Sequence, residues 1–339
     1  MVETKQIIEK GEWDAFLKTH NEANFLQSWE WGQFHERINH PVIRIGFYSN
    51  NTLIGVMLAV VEPARRARYL TVPGGPIVDW ENSELVDSVQ SAMKNIAKEN
   101  NCVFVRVRPQ LLNTEHSREI FKNMGFIPAP IHLHAQLTLQ LDLSLSEEEI
   151  MMQMRKNTRY ELKKALSGDI SVKISTNPED IKPFYDLQLE LAKRQKFVPF
   201  SYEYLHEQFS VFATQHMASL MSAYHGESLL AQAFIIFYGN EAVYHYGVST
   251  PAGREYPGAY LLQWEAIREA KRRGIKRYNF WGIAHEHEKN HRFYGLSIFK
   301  RGFGGEEVEY LPAHDLVLNK PRYLLTMIVE HARKKIRGV

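Results

Sequence analysis

Apolar and polar positions along this chain change period in an order that occurs twice. Val42-Ile-Arg-Ile-Gly-Phe-Tyr48 and Leu53-Ile-Gly-Val-Met-Leu-Ala-Val-Val61 are strand-like runs around the polar turn Ser49-Asn-Asn-Thr52, which predicts a β-hairpin. A third strand near Arg68 to Val72 leads into the loop Pro73-Gly-Gly-Pro76. Apolar residues then recur at helical spacing from about Ser83 to Glu99, and a strand follows at Cys102 to Arg108. About 175 residues later the order returns: strands at Ser219 to Tyr224 and Leu229 to Tyr238 around His225-Gly-Glu-Ser228, then Ala242-Val-Tyr-His-Tyr-Gly247, a helix over Ala259 to Arg273, and Arg277-Tyr-Asn-Phe-Trp281. Each copy opens with helical stretches, Glu12 to Arg37 in one, Ser146 to Leu166 and Lys182 to Arg194 in the other. The pattern predicts an α+β chain of two similar domains, the first spanning 1–145 and completed by 313–339, the second 146–312. A cleft between or beside them is the expected site.

Composition narrows the classes without choosing among them. The chain has 339 residues, 44% hydrophobic and 24% charged, enough apolar material for two cores and too much for disorder. No stretch approaches about 18 uninterrupted apolar residues, and Met1-Val-Glu-Thr-Lys-Gln6 does not open a signal peptide, so a cytoplasmic protein is expected. The single cysteine, Cys102, sits beside Val103, Phe104 and Val105, which excludes an intrachain disulfide and a cysteine-clustered metal site. The net charge of +2 is unevenly spread: residues 1–145 hold 14 Lys+Arg against 16 Asp+Glu, leaving 27 against 23 beyond them. Basic residues gather at Arg155 to Arg159 with Lys163 and Lys164, at Arg268 to Arg277, at Lys289 to Arg301 and in the tail Arg333 to Arg337. Such patches suit a phosphate backbone and equally suit solvated helix faces.

Candidate chemistry concentrates in Gly295-Leu-Ser-Ile-Phe-Lys-Arg-Gly-Phe-Gly-Gly-Glu306. Lys300 and Arg301 offer donors to phosphate or an oxyanion, Phe299 and Phe303 offer apolar surface, and the glycines allow close backbone approach to a ligand. A β-hairpin rim has the same composition. Tyr244 and Tyr246 alternate on a predicted strand and are expected on one face, as substrate contacts or as core. His285, His287 and His291 lie close in sequence, but no H-E-x-x-H frame is present, and a solvated loop without metal is expected. No P-loop, dinucleotide fingerprint or nucleophile elbow occurs. The tail helix, Tyr323 to Arg337, is amphipathic and basic; docking on the first domain is preferred over peripheral contact with an anionic membrane.

The repeated unit resembles the N-acetyltransferase (GNAT) fold, in which a helix N-terminus after the fourth strand holds a pyrophosphate. Here the matching loop reads Arg254-Glu-Tyr-Pro-Gly-Ala259; its spacing departs from the R/Q-x-x-G-x-G/A pattern and Pro257 lacks a donor, which weakens coenzyme A as a ligand. Five blocks, Phe25-Leu-Gln-Ser-Trp-Glu-Trp31, Gly75-Pro-Ile-Val-Asp79, Thr158-Arg-Tyr-Glu-Leu-Lys-Lys-Ala165, Tyr244-His-Tyr-Gly-Val-Ser249 and Phe299-Lys-Arg-Gly-Phe-Gly-Gly305, together resemble, in order, the Fem family of non-ribosomal peptidyltransferases.

That resemblance implies two tandem GNAT-like domains and transfer of an amino acid from aminoacyl-tRNA to an amine of the peptidoglycan precursor's stem peptide, UDP-linked or lipid-linked. It implies no cofactor, no metal and no DNA partner. The chain is similar to the compact members, which lack a long helical arm. Lys300 and Phe299 take the catalytic positions, Tyr244, Tyr246, Arg194, Asp79 and His35 the precursor positions, and Arg301, Lys289 and Arg292 the tRNA side. Lys193 and Lys196 flank Arg194 closely enough to share its task. The chain departs from the family where His35 replaces a lysine and where Gly74 replaces an arginine; Arg44, Arg65, Arg66 and Arg68 are candidate compensators. Two alternatives stay open, an acyl-CoA-dependent N-acyltransferase and a non-catalytic RNA-binding module.

Overall fold

A computed structural model of the chain describes residues 1–64, 67–195 and 198–337, apart from the side chains of residue 195 and of 332–337. Arg65, Arg66, Lys196 and the basic side chains of the tail from Arg333 to Arg337 lie outside the described residues. Two compact units result, Met1–Gln136 with Glu309–Val339, and Leu137–Val308.

In the first unit the hairpin Val42–Ser49 and Thr52–Pro63 is extended on one side by Glu3–Gln6 and on the other by Arg68–Pro73, Phe104–Arg108, His314–Val317 and Ile127–Pro128. The short strand Ile77–Val78 also pairs with Thr52–Pro63. Neighbours are antiparallel except Arg68–Pro73 and Phe104–Arg108, which run parallel from Leu70↔Val105 to Pro73↔Arg108. A parallel step needs a crossover, and the helix Ser83–Glu99 supplies it, burying Leu85, Val89, Met93 and Ile96 at helical spacing on the sheet. Asn82 caps this helix by accepting from Leu85 N at 3.1 Å.

The second unit repeats the plan. Its sheet runs Glu306–Glu309, Leu137–Asp142, Arg277–Gly282, Glu241–Ser249, Ser228–Tyr238, Ala218–His225, Ile170–Ser175, and the step between Glu241–Ser249 and Arg277–Gly282 is parallel. The helix Gly258–Arg272 crosses over and buries Leu261, Leu262, Trp264 and Ile267.

Several elements depart from the sequence expectations. Leu137–Asp142, read as the end of the first domain, pairs with Arg277–Gly282 and places Leu137, Leu139 and Leu141 in the second core. The stretch Glu12 to Arg37 is two helices, Lys10–Leu17 and Trp29–Arg37, parted by a short 3-10 turn at Phe25–Gln27; Ser28 starts the second by accepting from Trp31 N at 3.0 Å. Gln27 is fully buried there, and its amide bonds Leu58 O, Pro73 O and Leu58 N, so this block closes backbone groups where two strands part. Lys320–Arg337 is helical; Tyr323 and Met327 pack on Phe104 and Val103 of the first unit, while Leu324, Leu325 and Ile328 are exposed.

Candidate active site at the second parallel strand pair

The Phe-Lys-Arg segment is neither a hairpin rim nor a glycine cradle. Residues Tyr294–Arg301 form a helix. Ser297, Lys300 and Arg301, at i, i+3 and i+4, share its buried face and fasten it to the strand exit after Arg277–Gly282. Ser297 Oγ accepts from Ala284 N at 2.8 Å, Lys300 Nζ donates to Gly282 O at 2.7 Å, and Arg301 Nη2 donates to Ala284 O at 2.8 Å. The glycines that follow make room for the chain's own backbone. A Cβ on Gly304, which has φ +84°, would meet Gln153 O at 2.7 Å, and one on Gly302 would press into Thr158 Oγ1. The block Thr158 to Ala165, on the helix Lys156–Ser167, is therefore the seat of the Phe299 block.

Lys300 lies where the two parallel strands separate. Their register covers only Glu241↔Arg277, Ala242↔Tyr278 and Val243↔Asn279. Beyond it Arg277–Gly282 bulges, with Trp281 at φ +64° and its N–H donated to Asn279 Oδ1 at 2.8 Å. Lys300 is 5% exposed, its Nζ stands 5.6 Å from the centroid of the Tyr244 ring, and among the described residues it forms no ion pair. Burial pushes its pKa down to about 7. Burial likewise pushes the Tyr244 hydroxyl up to about 12. The Tyr244 hydroxyl occupies the space a Cβ at residue 247 would take, so Gly247 is the residue that lets the ring lie along the strand. Phe299, half-buried, packs edge-on to Tyr260 at 5.1 Å beside this group.

Tyr244 and Tyr246 do not share a face. Ile235 pairs with Tyr244 and the adjacent Phe234 with Tyr246, so His245 is the extra residue of a β-bulge. Tyr244 joins the core containing Ile235 and Phe280, whereas His245 and Tyr246 meet Phe234 on the other side, at 5.7 and 5.9 Å. On that side Tyr246 also packs against Phe200, and its hydroxyl bonds Tyr204 and Gln208; burial first, then Tyr204, hold its pKa well above the ordinary value against the opposing bond to Gln208. His245 Nε2 is 3.2 Å from Gln208 Nε2, and burial lowers its pKa to about 3, leaving a neutral ring. The bulge is silent in a sequence read at period two. The pairing of Gly247 with three aromatics was the available signal for it.

The other expected residues are dispersed. Arg194 is exposed in the last turn of Ile181–Gln195, with Lys193 beside it. Arg301, expected to meet tRNA, is 8% exposed and held by Ala284 O and by Glu307 at 2.5 Å, so its guanidinium is a clamp inside the unit. Lys289 and Arg292 are exposed, with Arg292 over the Phe293 ring at 4.4 Å. In the first unit, Asp79 is exposed, accepts from Glu81 N at 3.0 Å and lines a cavity of about 410 Å³ with Phe16, His20 and Asn82. His35 is buried, and burial with the neighbouring His40 lowers its pKa to about 3, so it carries no charge for a phosphate. Gly74, standing where an arginine was expected, has φ +64° against the Asn24 side chain, a backbone setting that favours glycine. Arg44 is bound to Glu36 at 2.7 Å and lies over Trp29, which removes it as a free compensating charge; Arg68 is exposed.

The coenzyme loop also turns out occupied. The helix Gly258–Arg272 opens after Pro257 without a side-chain cap, the Gly258 N–H goes to Tyr256 O at 2.8 Å, and Tyr256 stacks on His225 at 3.9 Å. One donor is spent and another is missing where a pyrophosphate would need them.

Two sheets, each with a parallel step opened by a crossover helix, define two tandem GNAT-like domains. A tandem GNAT protein from the clavulanic acid biosynthesis pathway has the same fold, with a TM-score of 0.61 at 12% identity over 94% of this chain and 98% of that one. The crystal structure of FemX superposes more fully, with a TM-score of 0.84 at 19% identity over 96% of this chain and 100% of that one. The FemAB family model matches residues 8–125 and 214–331, and the chain belongs to that family. Aminoacyltransferase FemA of Staphylococcus aureus is 22% identical over 92% of this chain and 97% of its own length. The protein is accordingly a transferase, and among the described residues no helix is long and apolar enough to cross a membrane.

Proposed function

We propose that the chain transfers an amino acid from aminoacyl-tRNA to an amine of the peptidoglycan precursor's stem peptide, with the reacting ester beside Lys300. The supporting observation is a buried lysine that has no counter-ion among the described residues, at the opening between two diverging parallel strands. Such a group is costly to the fold unless something charged develops next to it. An aminoacyl ester is already activated, so the reaction needs positioning and charge stabilisation more than a strong base.

The acceptor nitrogen attacks the ester carbonyl carbon, and the oxygen becomes an oxyanion that the protonated Lys300 Nζ stabilises. The C–O bond to the ribose then breaks, an amide forms, and the proton lost by the amine ends on the departing hydroxyl. A pKa of about 7 keeps part of the Lys300 population protonated and part neutral near neutral pH, which suits a group that holds negative charge and then releases it. Tyr244 backs the ammonium with its ring. His245 and Tyr246 lie on the opposite face of the bulged strand, away from this opening. The exposed Arg194 and Lys289 are placed to meet phosphates, whereas Arg301 holds the helix in place.

The test incubates purified protein with aminoacyl-tRNAs and either UDP-N-acetylmuramyl pentapeptide or the lipid-linked precursor, and follows the acceptor by mass. One added aminoacyl residue supports the reading. No transfer with any pairing, together with thermal stabilisation by an acyl-CoA, overturns it in favour of an acyl-CoA enzyme.

A further inference from the structure

The histidines that their spacing brings to notice are not the ones that converge. His285 and His287 stack at 5.3 Å in an exposed loop. In the first unit His35, His40 and Glu62 bring one ligand atom each within 4.8 Å of one another. His35 sits in the last turn of Trp29–Arg37, and its ring is held between Trp31 and Phe34 at 5.2 and 4.7 Å. Asn39, at φ 61°, turns the chain back so that His40 N donates to His35 O at 2.9 Å. Val61 N then donates to Pro41 O at 2.9 Å, which sets Glu62 beside His40.

Two of the separations between the ligand atoms are those of a coordination shell, and all three atoms lie within 4.8 Å of one another. His35 Nδ1 and His40 Nδ1 are 3.4 Å apart, and His40 Nδ1 and Glu62 Oε2 are also 3.4 Å apart. A tetrahedral zinc ion with bonds of about 2.0–2.2 Å places neighbouring donors about 3.3–3.6 Å from one another. Both distances are long for hydrogen bonds between such groups, which favour about 2.9 Å. Among the described residues Glu62 makes no ion pair with lysine or arginine. His35 and His40 are separated by four residues, inside the H-x3–5-H spacing of zinc ligands. His35 is 5% exposed, but the His40 and Glu62 side chains are 21% and 24% exposed, so the site has one buried wall and one side open to entry.

We propose that His35, His40 and Glu62 form a divalent transition-metal site, with Zn²⁺ the ion that suits the two-nitrogen, one-oxygen donor set and the two 3.4 Å donor separations. Three protein ligands leave a fourth position on the open side for water or for an anionic oxygen. The ion fastens the end of Trp29–Arg37 to the end of Thr52–Pro63. The site is independent of the transfer reaction, and either assignment can fail alone.

The experiment uses untagged full-length protein stripped with a chelator and titrated with Co²⁺, which reports coordination through its visible spectrum, then with Zn²⁺ as competitor. The expected result is one Co²⁺ per chain with the intense bands of a tetrahedral site, displaced by Zn²⁺. His35 is a core residue, so the variants are the two more exposed ligands: His40→Ala and Glu62→Gln should each weaken binding by at least about tenfold. His287→Ala should leave it unchanged. Absence of stoichiometric binding, a six-coordinate spectrum indifferent to both ligand variants, or loss of binding in His287→Ala would each overturn the proposal.

Discussion

The two units place a buried cation near the same step of the same sheet plan and treat it in opposite ways. In the first, Arg106 on the strand Phe104–Arg108 is 1% exposed and grips Asp315 through two bonds of 2.7 Å, with Glu330 at 2.9 Å and the Tyr323 hydroxyl also donating to Asp315. Burial alone would lower the pKa of Arg106, yet the bonds and charges of Asp315 and Glu330 hold it above the ordinary value. The parallel pairing beside it runs to Pro73↔Arg108 and is continued by Gly74 N to Arg108 O at 2.9 Å. In the second unit the pairing stops at Val243↔Asn279, and the buried Lys300 meets the Gly282 carbonyl and the Tyr244 ring and, among the described residues, no ion-pair partner. A paired charge at a closed strand pair holds the fold together, whereas an unpaired one at an opened pair is a liability that substrate chemistry can exploit.

Removing one partner of the closed network is the largest expected perturbation. Asp315→Ala leaves Arg106 buried with Glu330 alone and should cost about 3–5 kcal/mol in denaturant unfolding, because an uncompensated charge is stranded. If the loss is below about 1 kcal/mol, the contrast between the units collapses. At the open site the expectation reverses. Lys300→Met should cut aminoacyl transfer by more than about tenfold, with no loss of stability at pH 7. A rate equal to that of the parent would remove Lys300 from the reaction.

The same variant tests the charge directly. Lys300 titrates near 7 when folded against an ordinary 10.5, so between those values the unfolded chain binds the extra proton. Stability contributed by this group therefore rises with pH across that window and is lowest below about 7. Comparing melts at pH 7 and pH 10, the parent should gain more than Lys300→Met; parallel responses would mean the lysine is solvated. Gly247→Ala comes next, since its methyl group displaces the Tyr244 hydroxyl: about 1–3 kcal/mol of overpacking is expected, with a fall in transfer. Tyr246→Phe is the smallest. It lies across the bulge from Lys300, so transfer should stay within about twofold while stability falls by about 1 kcal/mol from the lost hydroxyl bonds. A collapse of transfer in this variant would put both tyrosines at one site again.

Legibility followed the range of the forces. The hairpins, the crossover helices and their repetition were readable because burial of one face imposes period two or period 3.6 on nearby residues. The strand Leu137–Asp142 is assigned to the first domain by sequence because nothing local says which core its alternating leucines enter. The five blocks pointed to the family, and Phe299 and Lys300 lie at the opened strand pair, whereas Arg301 turned inward and Tyr246 crossed the sheet.

By itself, then, the sequence determined two copies of one α+β unit, the FemAB family and the segment carrying the lysine. Each of these depends on residue order over a few turns or on recurring blocks. Tertiary structure alone decided that Lys300 has no counter-ion among the described residues, that a bulge at His245 separates two tyrosines, and that His35 and His40 meet Glu62 while the spaced histidines of the 285–291 loop do not converge. A counter-ion, a strand register and a convergence of side chains are relations between residues far apart in sequence, set by how strands pair and where backbone groups find partners.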